Sequence, residues 1–320
     1  MAYVVDLKKY EYTGPLDLLL DMIHAAKIDI KDIFISEITG QYLASMEQLD
    51  ELDMETASEF LQMAALLLEI KSRSLLPKPP EPEDENEETP EQALIRQLEE
   101  YKKFKEMLRE IEFASDDNMF ILGDIVDRGP EPIALLKDLS TRLNIFCLLG
   151  NHEYMMSRVL NGPLAEEVTD ENIASLTSDD LIAYQEWMDN GGDVTLKQYR
   201  QLDDEDREAV LDFIDEMELF EAISIDEQKF ILIHAGFSNF DKRRSLDSYA
   251  PEELIFERHD YDFEYFNSIY TIAGHTPTLE LSGKPEILKS GHNINIDCGA
   301  TFEGGRLACL CLDTMEEFYV

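Results

Sequence analysis

Four short motifs in the second half of the chain carry side chains that bind metal ions and phosphate. They are Gly123-Asp-Ile-Val-Asp-Arg-Gly129, Gly150-Asn-His-Glu153, His234-Ala-Gly236 and Gly274-His-Thr-Pro277. Divalent metals of the Mn, Fe or Zn kind favour mixed oxygen and imidazole ligands, and arginine forks onto phosphate oxygens. Glycines let the backbone approach a ligand closely. One such motif arises easily by chance, whereas four in one chain, each after a strand signal, indicate a common site.

Short apolar runs that read as strands must position these motifs. The runs lie at 119–122, 145–149, 230–233, 270–273 and 294–296, and each ends in polar or glycine-rich residues. Helical stretches separate the first several, so we predict a layered α+β or α/β domain with its site at the strand ends. The interval from Tyr154 to Gln228 reads as a mostly helical, acidic insertion over that face.

The first part of the chain reads as helices. Pro15 suits a first helical turn behind a Thr13 cap, a second helix begins near Ser36, and a third runs from about Asp53 to Leu76. A fourth amphipathic helix is predicted over 93–111. We therefore expect a helical region over 1–76, an extended acidic and proline-rich linker over 77–92, and the strand-containing domain over 93–320.

Composition and charge restrict the functional classes. The 320 residues include 27 Lys+Arg and 69 Asp+Glu, giving a formal charge of −42. Such a chain is repelled by phosphate backbones and anionic lipid, so we expect no direct nucleic-acid or membrane-surface binding. No signal pattern or membrane-spanning apolar run is evident, and four cysteines without metal-ligand spacing are expected to stay reduced in the cytoplasm.

The four motifs resemble those of the calcineurin-like metallophosphoesterases, particularly the serine/threonine protein phosphatase group, over roughly 101–320. That resemblance implies an α/β/β/α sandwich with two divalent ions, Mn²⁺ foremost and Fe or Zn as alternatives. It implies that Asp124 bridges the two ions. Asn151, His234 and His275 would complete the shell of the second ion.

The same resemblance assigns catalytic roles for hydrolysis of phosphomonoesters or phosphoproteins. His152, held by Asp127, would protonate the leaving oxygen, and Arg128 would grip the phosphate. Metal-bound hydroxide would attack in line. Trp187, close to Asn190-Gly191-Gly192, also resembles the family, although a packed indole beside a tight turn explains it equally well.

One departure from the family weakens the first metal site. The family's opening Gly-Asp-x-His-Gly motif is absent, because no Asp-x-His occurs before Asp124. The nearest remnant is Ala2-Tyr-Val-Val-Asp6, where Lys8 occupies the position expected for histidine. Asp6 is a candidate surrogate ligand if residues 3–5 pair beside residues 119–122. Otherwise the first metal site lacks its own ligands, and the phosphoesterase activity is expected to be reduced.

The helical part is similar to segregation and condensation protein A, the bacterial kleisin, from about Val4 to Glu106. The resemblance rests on Gly14-Pro-Leu-Asp-Leu-Leu-Leu20, Gln41-Tyr-Leu43 and Ile70-Lys-Ser-Arg-Ser-Leu-Leu-Pro77. It implies docking of the front helices on the neck coiled coil of a structural-maintenance-of-chromosomes (SMC) ATPase. The kleisin's C-terminal winged-helix half is missing.

The two resemblances meet near Tyr101 to Leu108, as in a chimera. Three hypotheses stay open from the sequence. The chain is an impaired metallophosphoesterase fused to an SMC-binding region, a non-catalytic adaptor in chromosome segregation, or a joined chain without evolved function.

Overall fold

The computed structural model describes residues 15–26, 35–46, 54–75, 90–129, 132–166 and 176–320. The chain divides into two compact units, Met1–Lys103 and Phe104–Val320. The division falls within a helix, further along the chain than the domain start expected at residue 93. The physical reason is that Leu94, Leu98 and Tyr101 pack into the helical core of the first unit.

The first unit is helical, as predicted. Its helices are α1 (Pro15–Ala26), α2 (Ile35–Met46), α3 (Met54–Leu75) and α4 (Pro90–Glu110), the last of which continues into the second unit. Helix α4 begins at Pro90, which the sequence analysis placed in the linker. Proline is tolerated there because the first helical N–H has no intrahelical partner. Thr13, the proposed helix cap, and the linker residues 77–89 lie outside the described residues.

The core of the helical unit is an apolar cluster contributed by all four helices. Tyr42 is buried within it, and its hydroxyl donates to the carbonyl oxygen of Phe60 at 3.2 Å. Helix α3 presents Leu67 to this core, whereas Leu61 and Leu68 are 60% and 48% exposed. Helix α3 therefore buries one apolar face and exposes a second apolar stripe.

The described residues of the second unit form three sheets. Its strands are β1 (Met119–Ile121), β2 (Ile145–Cys147), β3 (Phe220–Ile225), β4 (Gln228–Ile233), β5 (Ile269–Ala273), β6 (Leu288–Ser290), β7 (Asn293–Asn295), β8 (Ala308–Leu310) and β9 (Glu317–Tyr319). The largest sheet has the order β3-β4-β5-β7-β6, with β4, β5 and β7 parallel and antiparallel edges. Strands β1 and β2 pair in parallel, and β8 pairs antiparallel with β9.

Alternation along β4 separates two packed layers. Phe230 and Leu232 join a cluster with the residues that follow β1 and β2, and with β8. Ile231 and Ile233 point to the opposite face and pack with a second cluster. Period-two alternation in a buried strand feeds both faces of a sheet. This arrangement confirms the predicted fold class, a helical region followed by a layered, sheet-containing domain.

Five helices pack together with residues of the β1–β2 sheet and of the loops that follow it. They are α5 (Pro132–Ser140), α6 (Asn151–Leu160), α7 (Ser178–Asp189), α8 (Asp193–Tyr199) and α9 (Asp204–Asp215), with the short α10 (Pro251–Ile255) and α11 (Thr278–Ser282) elsewhere. The predicted helical insertion over 154–228 is wrong at its end, because β3 lies there. Ile223 and Ile225 of β3 alternate with exposed neighbours and pack into the sheet cluster.

Two further predictions concern the membrane and the amino end. No helix in the described parts of the chain is long and apolar enough to cross a membrane. Residues 1–14 lie outside the described residues, so pairing of 3–5 with the first strand stays a prediction. Among the described strands, β1 pairs with β2.

Candidate active site

The loop after β1 has an unusual backbone that one buried carboxylate holds in place. Asp124, Asp127 and Arg128 have φ of 56°, 68° and 54°, a left-handed region costly for residues with a Cβ. The Glu153 side chain, fully buried, accepts hydrogen bonds from four backbone N–H groups. The donors are Asp124 at 2.9 Å, Ile125 at 2.6 Å, Val126 at 3.0 Å and Gly150 at 3.1 Å. Glu153 therefore offsets the backbone strain of the loop.

Two glycines allow the loops to touch. A Cβ on Gly150 would lie 2.5 Å from both the backbone nitrogen and Oδ1 of Asp124. A Cβ on Gly123, where φ is +89°, would lie 2.7 Å from Gly150 Cα and 2.8 Å from His234 Nδ1. No side chain larger than hydrogen fits at either position without displacing its neighbours.

Four potential ligand atoms converge where the strands end. Asp124 follows β1, Asn151 begins α6 after β2, His234 follows β4 and His275 follows β5. His234 Nε2 lies 3.0 Å from Asn151 Oδ1, 3.2 Å from His275 Nδ1 and 3.4 Å from Asp124 Oδ1. His275 Nδ1 lies 2.9 Å from Asn151 Oδ1. Parallel strands bring their carboxyl ends to one edge, which explains the convergence.

The donor and acceptor roles in this cluster fit a bound cation. His234 Nδ1 lies 2.6 Å from the carbonyl oxygen of Leu122, so that nitrogen carries the proton and donates it. Nε2 of His234 is then an acceptor, and it faces the Asn151 amide oxygen and the Asp124 carboxylate, which are acceptors too. Acceptors facing one another leave their lone pairs unmatched, and a divalent ion between them satisfies all of them.

Electrostatics keep the cluster in the ligand form. Burial raises the pKa of Asp124, but the imidazoles of His234, His152 and His275 outweigh it and hold that pKa below its ordinary value. Burial, with the neighbouring His234, lowers the pKa of His275 to about 4. At neutral pH the site therefore offers a carboxylate and a neutral imidazole, as metal binding requires.

A histidine–aspartate pair lies beside the ligand cluster. His152 Nδ1 is 2.7 Å from Asp127 Oδ2, and the backbone N–H of His152 donates to Asp124 Oδ1 at 3.3 Å. Burial lowers the pKa of His152, but the hydrogen bond to Asp127 and the nearby carboxylates outweigh it and raise that pKa above its ordinary value. His152 can therefore carry a proton near neutrality, as a general acid must.

The helical insertion makes several hydrogen bonds to this loop. Trp187 Nε1 donates to both oxygens of Asp127, at 3.1 Å to Oδ1 and 2.8 Å to Oδ2. The hydroxyl of Thr195 lies 2.6 Å from Asp127 Oδ1. Nε of Arg128 donates to the carbonyl oxygen of Asn190 at 3.2 Å. The Trp187 indole is thus both packed and hydrogen-bonded, which the sequence alone left open.

Two arginines lie at the rim. Arg128 is exposed on the loop after β1. Arg258 is 71% exposed, with Glu280 at 3.7 Å, and its charge contributes to the low pKa of His275. An anion that approaches the ligand cluster would meet the positive charge of both guanidinium groups.

Two residues of the expected first metal site and three further histidines remain to be placed. Asp6 and Lys8 lie outside the described residues. His24 is exposed on α1, and His259 is buried among aromatic rings. His292 lies just before β7, with its ring against Tyr270.

Sequence reasoning missed three residues of this region. Glu153 had a usable signal. A glutamate at the third position of a helix commonly accepts a hydrogen bond from the backbone N–H of the residue that precedes the helix, and Glu153 does so for Gly150 at the start of α6. Thr195 had none, because its partner Asp127 is 68 residues away. Arg258 lies outside all four motifs, so only the folded chain brings its charge near His275.

Two family models match the chain. The model described as segregation and condensation protein ScpA matches residues 22–118, and that of calcineurin-like phosphoesterases matches 97–303. The matches overlap over 97–118, which contains residues 101–108, where the two resemblances were predicted to meet. The predicted two-part organisation is therefore confirmed.

Curated relatives named segregation and condensation protein A match parts of the chain. The chain is 50% identical over 103 residues to segregation and condensation protein A of Clostridium tetani, covering 32% of this chain and 41% of that protein. It is 37% identical over 183 residues to the Bacillus pumilus protein of the same name, covering 54% and 71%. The chain thus spans less than half of the first relative.

A solved structure has a limited likeness. The crystal structure of a metallophosphoesterase from Sphaerobacter thermophilus gives a TM-score of 0.37 at 17% identity, covering 68% of this chain and 83% of that one.

The phosphoesterase model covers more than half of the chain, and the chain covers more than two thirds of the Bacillus pumilus relative. The chain therefore belongs to the calcineurin-like phosphoesterase family and carries a segregation and condensation protein A region in front of that domain.

Proposed function

We propose that the second unit hydrolyses phosphate esters with a divalent ion held by Asp124, Asn151, His234 and His275. The observation that carries this proposal is the set of mutually facing acceptor atoms within 3.4 Å of His234 Nε2. Oxygen and imidazole donors suit Mn²⁺, Fe or Zn, and Mn²⁺ is the ion that we propose. When bound, the ion supplies Lewis-acid polarisation of the phosphoryl group and a more acidic water.

The chain's own residues then perform the remaining tasks. Arg128 binds the phosphoryl oxygens of a phosphomonoester or phosphoprotein, and Arg258, whose charge acts on His275, adds a second guanidinium group. His152 Nε2 delivers a proton to the leaving oxygen. Asp127 keeps the Nδ1 proton of His152 in place, so that the ring presents Nε2 to the substrate.

We further propose that the activity is reduced. Within the part of the chain that the structure describes, the candidate cluster of metal-ligating His, Cys, Asp and Glu side chains is Asp124, His234 and His275. The first metal's own aspartate and histidine have no counterpart among these residues. Loss of one ion from a two-ion site removes part of the stabilisation of the transition-state charge. Each ~1.4 kcal/mol of stabilisation that is lost lowers the rate tenfold.

Hydrolysis of p-nitrophenyl phosphate by the full chain with added Mn²⁺ tests the proposal. We expect activity that disappears with a chelator and falls about 100-fold or more in Asp124→Asn, the scale of losing one ligand's contribution. Asp215→Asn, an exposed aspartate at the end of α9, is the matched control and keeps the wild-type rate. An Asp124→Asn rate equal to wild type would remove the assignment.

A second function is favoured by the exposed stripe of α3. Leu61, Ala65 and Leu68 lie on one exposed face at helical spacing. We propose that this stripe docks on the coiled coil of an SMC ATPase, as the segregation and condensation protein A region implies. The chain is then an adaptor in chromosome segregation, with or without catalysis.

Paired substitutions on α3 test the docking. Leu68→Glu places a charge on the stripe and is expected to abolish pull-down of the SMC ATPase at micromolar concentration. Gln62→Glu, exposed on the same helix, is the matched control. Leu67 is unsuitable because it is 1% exposed, so a charge there unfolds the unit. Equal capture by both variants contradicts the proposal.

A further inference from the structure

The Asp127 carboxylate accepts hydrogen bonds from other side chains in addition to the one that it shares with His152. Its side chain is fully buried, and three side chains from three helices converge on it: His152 of α6, Trp187 of α7 and Thr195 of α8. A carboxylate without solvent needs such donors to balance the loss of hydration. With all three in place, both oxygens are occupied.

Thr195 sets the direction of this arrangement. Its Oγ1 accepts from the backbone N–H of Asp127 at 3.1 Å, so the hydroxyl proton is directed to Asp127 Oδ1 at 2.6 Å. Trp187 Nε1 bridges the two oxygens from the side. Oδ2 is then aimed at His152 Nδ1, and rotation of the carboxylate would break contacts to both partners.

One turn of the insertion builds these contacts together. Gly192 packs against the Trp187 indole so closely that a Cβ there would lie 2.5 Å from Nε1 and Cε2 of the ring. The carbonyl oxygen of Gly191, whose φ is +94°, accepts from the backbone N–H of Arg128 at 3.3 Å. The segment between α7 and α8 therefore contacts both Asp127 and Arg128.

We propose that Trp187 and Thr195 are positioning residues for proton transfer: they orient Asp127 so that His152 donates from Nδ1 and presents Nε2 to the leaving oxygen. The inference deepens the proposed phosphoesterase function and rests on it. The insertion is thereby a working part of the site. A purely structural role for Trp187 in the helical cluster is the competing explanation, since the indole is also packed there.

Leaving-group dependence separates the two explanations. A general acid matters most when the leaving oxygen is basic, so its loss slows phenyl phosphate far more than p-nitrophenyl phosphate. We expect Thr195→Val, which keeps the shape and removes the hydroxyl, to lower kcat for phenyl phosphate by roughly 10- to 100-fold. We expect a much smaller loss on p-nitrophenyl phosphate and an unchanged KM for both.

Two companion variants complete the kinetic test. Thr195→Ser restores the hydroxyl and should recover most of the phenyl phosphate activity. Thr271→Val makes the same change at a buried threonine of β5 whose hydroxyl has no partner among the described residues, and should leave the substrate ratio unchanged. Equal losses on the two substrates in Thr195→Val would overturn the positioning role.

A spectroscopic measurement decides the inference independently of catalysis. In nuclear magnetic resonance spectra of the full chain, the Nδ1–H proton of His152 should appear as a strongly hydrogen-bonded signal. Thr195→Val and Trp187→Phe should shift it or broaden it, whereas Thr271→Val should not. An unshifted signal in both variants refutes the inference. If the wild-type protein shows the signal and the two variants shift or broaden it, but the wild-type protein has no phosphatase activity, the proposed function fails while the positioning of His152 stands.

Discussion

The helical unit and the phosphoesterase unit have opposite tolerance for change in the backbone. Gly40 of α2 has no atom within 4 Å of an added Cβ, whereas Gly150 has Asp124 at 2.5 Å. In the described part of the helical unit, no residue other than glycine has positive φ, while Asp124, Asp127, Arg128 and His275 all do. Four of the nine non-glycine residues with positive φ among the described residues are ones assigned chemistry, and contacts such as those of Glu153 must offset the strain at the Asp124 loop.

The largest effect that would sharpen this comparison is expected from Gly150→Ala. The added methyl displaces Asp124 by about 1 Å, and a shift of that size costs about 100-fold in activity. Mn²⁺-dependent phosphomonoester hydrolysis and Mn²⁺ binding by calorimetry both measure it. Retention of both properties would show that the loops are more compliant than the close contacts indicate.

Glu153→Gln tests whether one carboxylate compensates for the strained loop. The amide replaces one acceptor oxygen with a donor, so at least two of the four backbone N–H groups lose their partner. We expect a loss of about 3 kcal/mol in the free energy of unfolding of the second unit, measured in urea. The exposed Glu186→Gln on α7 is the control, expected to change little.

Acid sensitivity should distinguish the units as well. His259 is buried, and burial lowers its pKa to about 4. Because the folded-state pKa lies below the unfolded value of about 6.5, stability is intact above pH 6.5 and falls as the pH drops toward 4, by about 3 kcal/mol in total. His259→Phe should flatten that slope in urea unfolding between pH 7 and 4. The exposed His24→Gln should leave it unchanged, and an unaltered slope in His259→Phe would contradict the assignment.

The smallest effect is expected in the helical unit. Gly40→Ala adds a methyl into open space on a helix, so the unit should gain about 0.5–1 kcal/mol by losing backbone freedom in the unfolded chain. Chemical unfolding followed by circular dichroism measures the gain. A destabilised Gly40→Ala protein would remove the contrast with Gly150.

Much of the fold and site could be predicted because the signals are local. Short continuous apolar runs marked five strands, those at 119–122, 145–149, 230–233, 270–273 and 294–296, and helical periodicity marked α1 to α4. The strand β3 escaped because its six residues adjoin a long helical, acidic stretch. The third helix was predicted, but the placement of Leu67 in the core and of Leu68 outside it depends on which helices pack against α3.

The amino-acid sequence by itself determined the two-part organisation, the ligand-bearing motifs and the strands that end at them, since each is written in neighbouring residues. Tertiary structure alone decided that Glu153 supports the Asp124 loop and that Thr195 and Trp187 reach Asp127. The last two contacts join residues 68 and 60 positions apart, and no local period or propensity records such a distance. Hydrogen bonds to a buried carboxylate depend on where the chain returns in space, and that is settled by the packing of the whole unit.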